Sequence, residues 1–226
     1  MWCVGNLDEE YVERMEDLLT LYEKDFDPNE PVVCLDEKPV QCLDDKRRTI
    51  RVRNGSVRRD YEYIRRGTVN VFCAVEPKAG RHFTKVTPNR KKPAFARMLR
   101  DLARSYPDAS TIHLVMDNLS THTKRALVET FGEEEAEEIW SRFTVHYTPK
   151  HASWLDQAEI EISIFSRQCL GKRRIGSIAA LRAEAAAWKR RVNQQRLKID
   201  WKFTVSDARR KFGYSRTKSR INLPRN

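Results

Sequence analysis

The chain has 226 residues, 40% of them hydrophobic and 33% charged, enough for one sizeable core and too ordered in pattern for a disordered protein. No apolar run approaches the roughly 18 to 20 residues that span a bilayer, and the acidic N-terminus lacks a signal-peptide pattern. A cytoplasmic location with no membrane partner is the expectation.

The net charge of +11 is unevenly spread. Residues 167–226 hold 18 Lys/Arg against 3 Asp/Glu, and residues 46–66 hold 9 against 2, while the rest of the chain is net acidic. Two basic segments on an acidic body are the footprint of a phosphate-backbone binder, a nucleic acid. The bland alternative is a solvated basic face. The five cysteines are scattered, odd in number and never paired as C-x-x-C, so they read as reduced core thiols.

Taken in order, residues 7–25 repeat apolar side chains at a helical period and stop before Pro28 and Pro31. VVCLDEKPVQCL reads as a strand broken or bent at Pro39. The basic stretch 46–66 places Asn54-Gly55 between alternating segments, a hairpin signal. Gly67 precedes the strand TVNVFCAVEP, and a turn over Pro77 to Gly80 leads into HFTKVTP. Residues 93–105 form an amphipathic helix opened by a proline. IHLVMD is a buried strand, 121–130 is helical, GEEEAEEIWSR is a short acidic helix or loop, and FTVHYTP is a strand. Residues 155–170 and 178–196 read as two further helices. This order predicts an α/β fold with a mixed five-stranded sheet flanked by helices.

Asp36 and Asp117 each close an apolar run, VVCL and IHLVM, where an α/β sheet presents catalytic groups. Glu159 arrives from a later helix. Three carboxylates so placed would make a set of hard oxygen ligands suited to Mg²⁺ and to displacement at phosphorus. Each also has an ordinary reading. Asp36 could cap a strand, Asp117 could open the turn Asp-Asn-Leu-Ser, and Asp156 with Glu159 could be a capping box.

Together with their neighbours these residues resemble a known family. The segments CLDEKP, RGTVNVFCAVEPKAGRH, VMDNLSTHT, HYTPKHASWLDQAEIEISIFSRQCL and IDWKFTVSDARRKF are similar to the catalytic region of bacterial insertion-sequence transposases of the mariner superfamily, in the family's order. The resemblance implies an RNase H-like fold, a DDE triad at Asp36, Asp117 and Glu159, two Mg²⁺ ions bound by that triad with Mn²⁺ as substitute, and cut-and-paste movement of a DNA element. It implies partners too: the element ends and target as double-stranded DNA, a second copy in a homodimer, and a helix-turn-helix reader on a separate chain. Three parts follow, a linker helix over 1–30, the catalytic domain over 31–197 and a basic C-terminal tail over 198–226.

Two departures stand out. Asp156 occupies a position where members usually carry Asn, and 41 residues separate Asp117 from Glu159, more than in the family's shorter members. The segment GEEEAEEIW accounts for the extra length as a surface insertion. Glu161 is the runner-up for the glutamate, but two residues of helix turn it about 200° away. Glu37 is expected to face the opposite side of its strand from Asp36, in solvent or an ion pair. His122 is expected near the scissile phosphate or in a local hydrogen bond, His146 and His151 lie near the site without metal-ligand spacing, and Trp154 is expected to pack. No helix-turn-helix candidate precedes Asp36, so the chain reads as a catalytic region without its reader. The alternatives are a non-enzymatic DNA-binding remnant and an RNase H-type nuclease.

Overall fold

In the computed structural model, which describes residues 7–47, 50, 51, 57, 58 and 60–214, alternating strands and amphipathic helices build one mixed sheet with helices on both faces. The chain begins with α1 (Glu9–Glu23). Asp8 caps it by accepting a 2.8 Å bond from the Tyr11 N–H, and Glu9 and Glu10 suit the positive end of its dipole. Its buried face carries Tyr11, Met15, Leu18, Leu19 and Tyr22, the helical period of the sequence.

β1 (Val32–Asp45) runs unbroken through Pro39, where the sequence pattern predicts a break or a bend. The parallel partner of β1 pairs only with Val32 to Cys34, so Pro39 lies past it and its missing N–H forfeits no bond on that side. A bulge between Gln41 and Leu43 is the irregularity instead. β2 (Ile50–Arg51) and β3 (Val57–Arg58) pair antiparallel, and the expected Asn54-Gly55 turn lies outside the described residues. β4 (Tyr63–Glu76) starts before Gly67, which adopts a positive φ of 96° within it. A turn leads to β5 (Arg81–Thr87), an edge strand. On that edge Asn193 accepts from the His82 N–H at 2.8 Å and donates to the His82 carbonyl at 2.9 Å.

The remaining elements alternate: α2 (Lys92–Ser105), β6 (Ile112–Met116), α3 (Lys124–Phe131), α4 (Glu133–Trp140), β7 (Phe143–Tyr147), α5 (Gln157–Phe165), α6 (Ile178–Gln195) and α7 (Val205–Phe212). The acidic segment is thus helical, and a π turn over 166–170 follows α5 where one continuous helix was expected. The sheet order is β5-β4-β1-β6-β7, with β5, β4 and β1 antiparallel and β1, β6 and β7 parallel. The expected mixed five-stranded sheet is therefore present. All five residues of β6 are buried, as a central strand covered on both faces requires.

One core lies between the sheet and α2, α3 and α4, around Phe72, Phe95, Leu99 and Leu114. A second fills the opposite face beneath α5 and α6, around Phe165, Leu181 and Trp188. The third joins α1 to the C-terminal stretch: Met15, Leu18 and Tyr22 pack with Trp201, Phe203, Ala208 and Phe212. Arg209 adds a two-pronged ion pair to Glu16, at 2.8 and 2.9 Å. Thr204 and Asp207 close a capping box at the start of α7, a helix the sequence pattern had left unassigned.

Candidate active site

Strand register brings the first two carboxylates together. Cys34 of β1 stands beside Val115 of β6 in the parallel ladder, and two residues further along each chain come Asp36 and Asp117. Asp117 is the first residue after β6, so it leaves the sheet there, whereas Asp36 sits within β1 opposite Cys73 of β4.

The third comes from α5, reached through the loop after β7. The Thr148 N–H donates to the Met116 carbonyl at 3.0 Å, and a 3₁₀ turn over Ser153–Leu155 follows. Trp154 packs in that turn, stacked near-parallel on Trp201 at 6.5 Å between ring centres, with Phe203 and Phe212 against it. Packing is thus its role here, as expected. Asp156 then caps α5, accepting from the Ala158 N–H at 2.8 Å, which places Glu159 in the first helical turn and exposed. Glu159 does not complete the capping box: its N–H bonds to the Asp156 carbonyl.

Asp36, Asp117, Asp156 and Glu159 line one cleft of about 920 Å³, walled on another side by Arg14 of α1 and by Lys150. The carboxylates share the cleft without closing into a finished cage, since among the described residues no three His, Cys, Asp or Glu side chains converge as a ligand set. Their electrostatics are those of a site short of positive charge. Burial pushes the Asp36 carboxyl up to about 7, and the nearby Glu37, Glu159 and Asp117 carboxylates add to it against the Glu37 N–H. Asp156 is raised well above the ordinary range, by burial and then by Asp36, with Glu159 and Asp117 contributing. Hard oxygen donors that repel one another in a partly desolvated cleft fit a divalent cation.

Glu161 is not part of this set. It is fully buried on the other side of α5, where both its oxygens lie 2.9 Å from His82 Nδ1. The 200° rotation anticipated for it is what separates it from Glu159. Glu37 points away from Asp36 into an ion pair rather than solvent, its Oε2 lying 3.2 Å from His122 Nε2 and its Oε1 3.5 Å from Arg90. The other nitrogen of His122, Nδ1, is hydrogen-bonded to the Asp117 backbone carbonyl at 3.3 Å and lies 2.6 Å from Asp117 Oδ1 as an ion-pair contact. Burial pulls the His122 imidazolium down, but Asp117 and Glu37 together lift it to about 9. His146 is turned away to Asp17 and His113, at 2.6 and 2.9 Å, while His151 lines the cleft. The Glu37–His122 pairing was the feature sequence reading missed. Its only trace was an Asp-Glu pair on one strand and a histidine five residues after the second aspartate.

Fold and cleft together define a class: an RNase H-like α/β domain carrying acidic side chains where its central parallel strands end. Residues 31–182 match the sequence family described as DDE superfamily endonuclease, and the chain belongs to that family. No curated protein sequence matches it. Among solved structures it is similar to the Mos1 transposase paired-end complex with left transposon end, at 17% identity and a TM-score of 0.54 over 87% of this chain and 62% of that one. A pre-cleavage Mos1 transpososome gives a TM-score of 0.56 at 16% identity, over 87% of this chain and 61% of that one. A mariner Mos1 paired-end complex with Mg gives 0.52 at 17%, over 87% and 62%. At these identities the likeness is one of fold, and the chain spans about 62% of the length of the structures it matches.

Proposed function

We propose that this chain is the catalytic part of a transposase, cutting and rejoining DNA strands through Asp36, Asp117 and Glu159. The observation that carries the reading is the meeting of those three carboxylates, from β1, the end of β6 and α5, on one cleft of a DDE superfamily endonuclease. Asp36, Asp117 and Glu159 would hold two Mg²⁺ ions, with Mn²⁺ as substitute. The ions would activate the attacking oxygen and stabilise the leaving one.

The chain's own residues do the rest. Asp36 is fixed by its strand and by the bond it accepts from the Glu37 N–H at 2.7 Å. Glu159 is set by the cap at Asp156, which orients the first turn of α5. Lys150, at the cleft wall, offers positive charge to a phosphodiester backbone entering it, whereas Arg14 is paired with Glu10 on the same wall. Double-stranded DNA, as element end and as target, is the substrate in this reading. A homodimer and a separate helix-turn-helix chain are its protein partners, the cytoplasm its place, and 1–30, 31–197 and 198–226 its linker, catalytic and basic parts.

The test is nicking of supercoiled plasmid carrying the DNA that flanks the gene, in Mg²⁺ or Mn²⁺. Asp36→Asn, Asp117→Asn and Glu159→Gln should each lose roughly a thousand-fold in rate, the equivalent of several kcal/mol of transition-state stabilisation, while staying folded. A wild-type protein that does not nick, or a folded variant that nicks at the wild-type rate, would remove the reading or that residue from it.

A further inference from the structure

An aspartate that follows the last residue of a strand can rotate about two side-chain bonds, and a carboxylate that must present one oxygen to a cation or phosphate works only if something stops that rotation. Asp117 is in this position, and His122 is what meets it. Nδ1 of His122 is hydrogen-bonded to the Asp117 backbone carbonyl at 3.3 Å, and the ring makes ion-pair contacts with both carboxylates, Nδ1 lying 2.6 Å from Asp117 Oδ1 and Nε2 3.2 Å from Glu37 Oε2. The histidine and glutamate side chains are only 1% and 2% exposed.

The ring itself is held on every side. It stacks on Phe95 with 4.6 Å between centres and 24° between planes. Its backbone N–H donates to Leu119 at 2.8 Å, and its carbonyl accepts from the Tyr147 hydroxyl at 3.1 Å. The Asp117 side chain is 43% exposed, yet its Oδ1 is buried, so what faces the cleft is the Oδ2 side. The alternation of a strand completes the arrangement, because β1 sends Asp36 to the cleft and the next residue, Glu37, to the far side.

We propose that His122, backed by Glu37, is a positioning residue for Asp117, occupying Oδ1 so that Oδ2 alone is presented to the cleft. This rests on Asp117 acting on the phosphodiester as argued above. A trio that merely holds the fold together would lower the melting temperature when broken and leave cation affinity unchanged. A positioning role couples it to the affinity itself.

The test is calorimetric titration of Mn²⁺ into the full chain, with wild type, Asp117→Asn, His122→Phe, His122→Asn and Glu37→Gln compared after circular dichroism has confirmed folding. His122→Phe keeps the stack on Phe95 and should weaken Mn²⁺ binding by about ten-fold or more, the range found when outer-shell partners of metal ligands are removed. His122→Asn, whose amide nitrogen can stand in for Nδ1, should recover most of that loss. If His122→Phe does not fold, Glu37→Gln decides: weakened binding supports the proposal and wild-type binding overturns it. Wild-type affinity in folded His122→Phe, beside a loss in Asp117→Asn, would overturn the positioning role and leave the proposed function standing. Absence of Mn²⁺ binding by the wild type, or binding indifferent to Asp117→Asn, would overturn both.

Discussion

The Tyr22 hydroxyl on α1 donates a 2.7 Å hydrogen bond to the carbonyl of Leu155, a residue 133 positions later and the one that precedes Asp156. The same oxygen lies 3.5 Å from Cys34 Sγ on β1. One buried phenol therefore ties together α1, the strand that carries Asp36 and the turn that launches α5. The helix expected as a linker thus buttresses the site.

Tyr22→Phe keeps the ring and deletes the donor, leaving the Leu155 carbonyl without it inside the core. The expected cost is about 1 to 3 kcal/mol of folding stability. Urea denaturation measures it, and a midpoint equal to that of the wild type would show that the bond carries no net weight. Because the turn it steadies sets Asp156 and the first turn of α5, DNA nicking should fall further than the unfolded fraction accounts for.

Much of this was legible in the sequence, and the reasons are local. Apolar runs ending in Asp36 and Asp117 announce strands because a central strand buries both faces, and the mixed five-stranded sheet followed from strands giving way to alternating helices. Glu159 could be distinguished from Glu161 because helix periodicity alone sends them to different sides. What the pattern did not carry was tertiary. Nothing around Pro39 tells that the pairing with β6 stops at Cys34, so the strand reads as broken or bent there. The charge of 198–226 masked the apolar residues Trp201, Phe203 and Phe212, which pack on Trp154 and α1. His122 meets Glu37 across 85 residues of chain, a contact no spacing rule encodes.

The buried acids predict how the metal-free protein responds to pH. Asp36 is raised to about 7 and Asp156 well above its ordinary value, so both are easier to protonate folded than unfolded. A raised carboxyl contributes stability that is complete below the unfolded value of about 4 and is lost as pH rises through the folded one. His122, lifted to about 9, has the same sign: its contribution holds below about 6.5 and fades through pH 9. Without divalent cation, the stability these three groups contribute should therefore fall from about pH 4 to pH 9. Asp156→Asn keeps an oxygen to accept from the Ala158 N–H and removes one charge from the cluster, so it should raise stability at neutral pH and flatten the slope. Saturating Mg²⁺ should flatten it as well, by binding the folded form. Thermal melts across this range check both, and an Asp156→Asn protein with the wild-type slope would place the titration elsewhere.

The basic segments do different work, and the structure separates it. Arg209 is committed to Glu16, and Arg174 to Asp45 and to the carbonyls of Asp60, Tyr61 and Glu62, so replacing either tests the fold rather than DNA affinity. Deleting 198–226 would likewise strip Trp201 and Phe212 from the core shared with α1. Arg190 and Arg191 are exposed on α6, within the most basic part of the chain, and their replacement leaves that core alone. If the C-terminal basic segment tracks a DNA backbone, each phosphate contact contributes about 0.9 to the slope of log K against log salt. The double substitution Arg190→Gln with Arg191→Gln should then lower the slope by about 1.8 and weaken binding to duplexes of any sequence alike. Its melting temperature should match the wild type. Fluorescence anisotropy with random-sequence duplex from 50 to 200 mM salt, the range over which such slopes are usually read, gives the number. An unchanged slope in the folded variant would show that α6 lies away from the DNA and would move the binding surface to the other basic segment, residues 46–66.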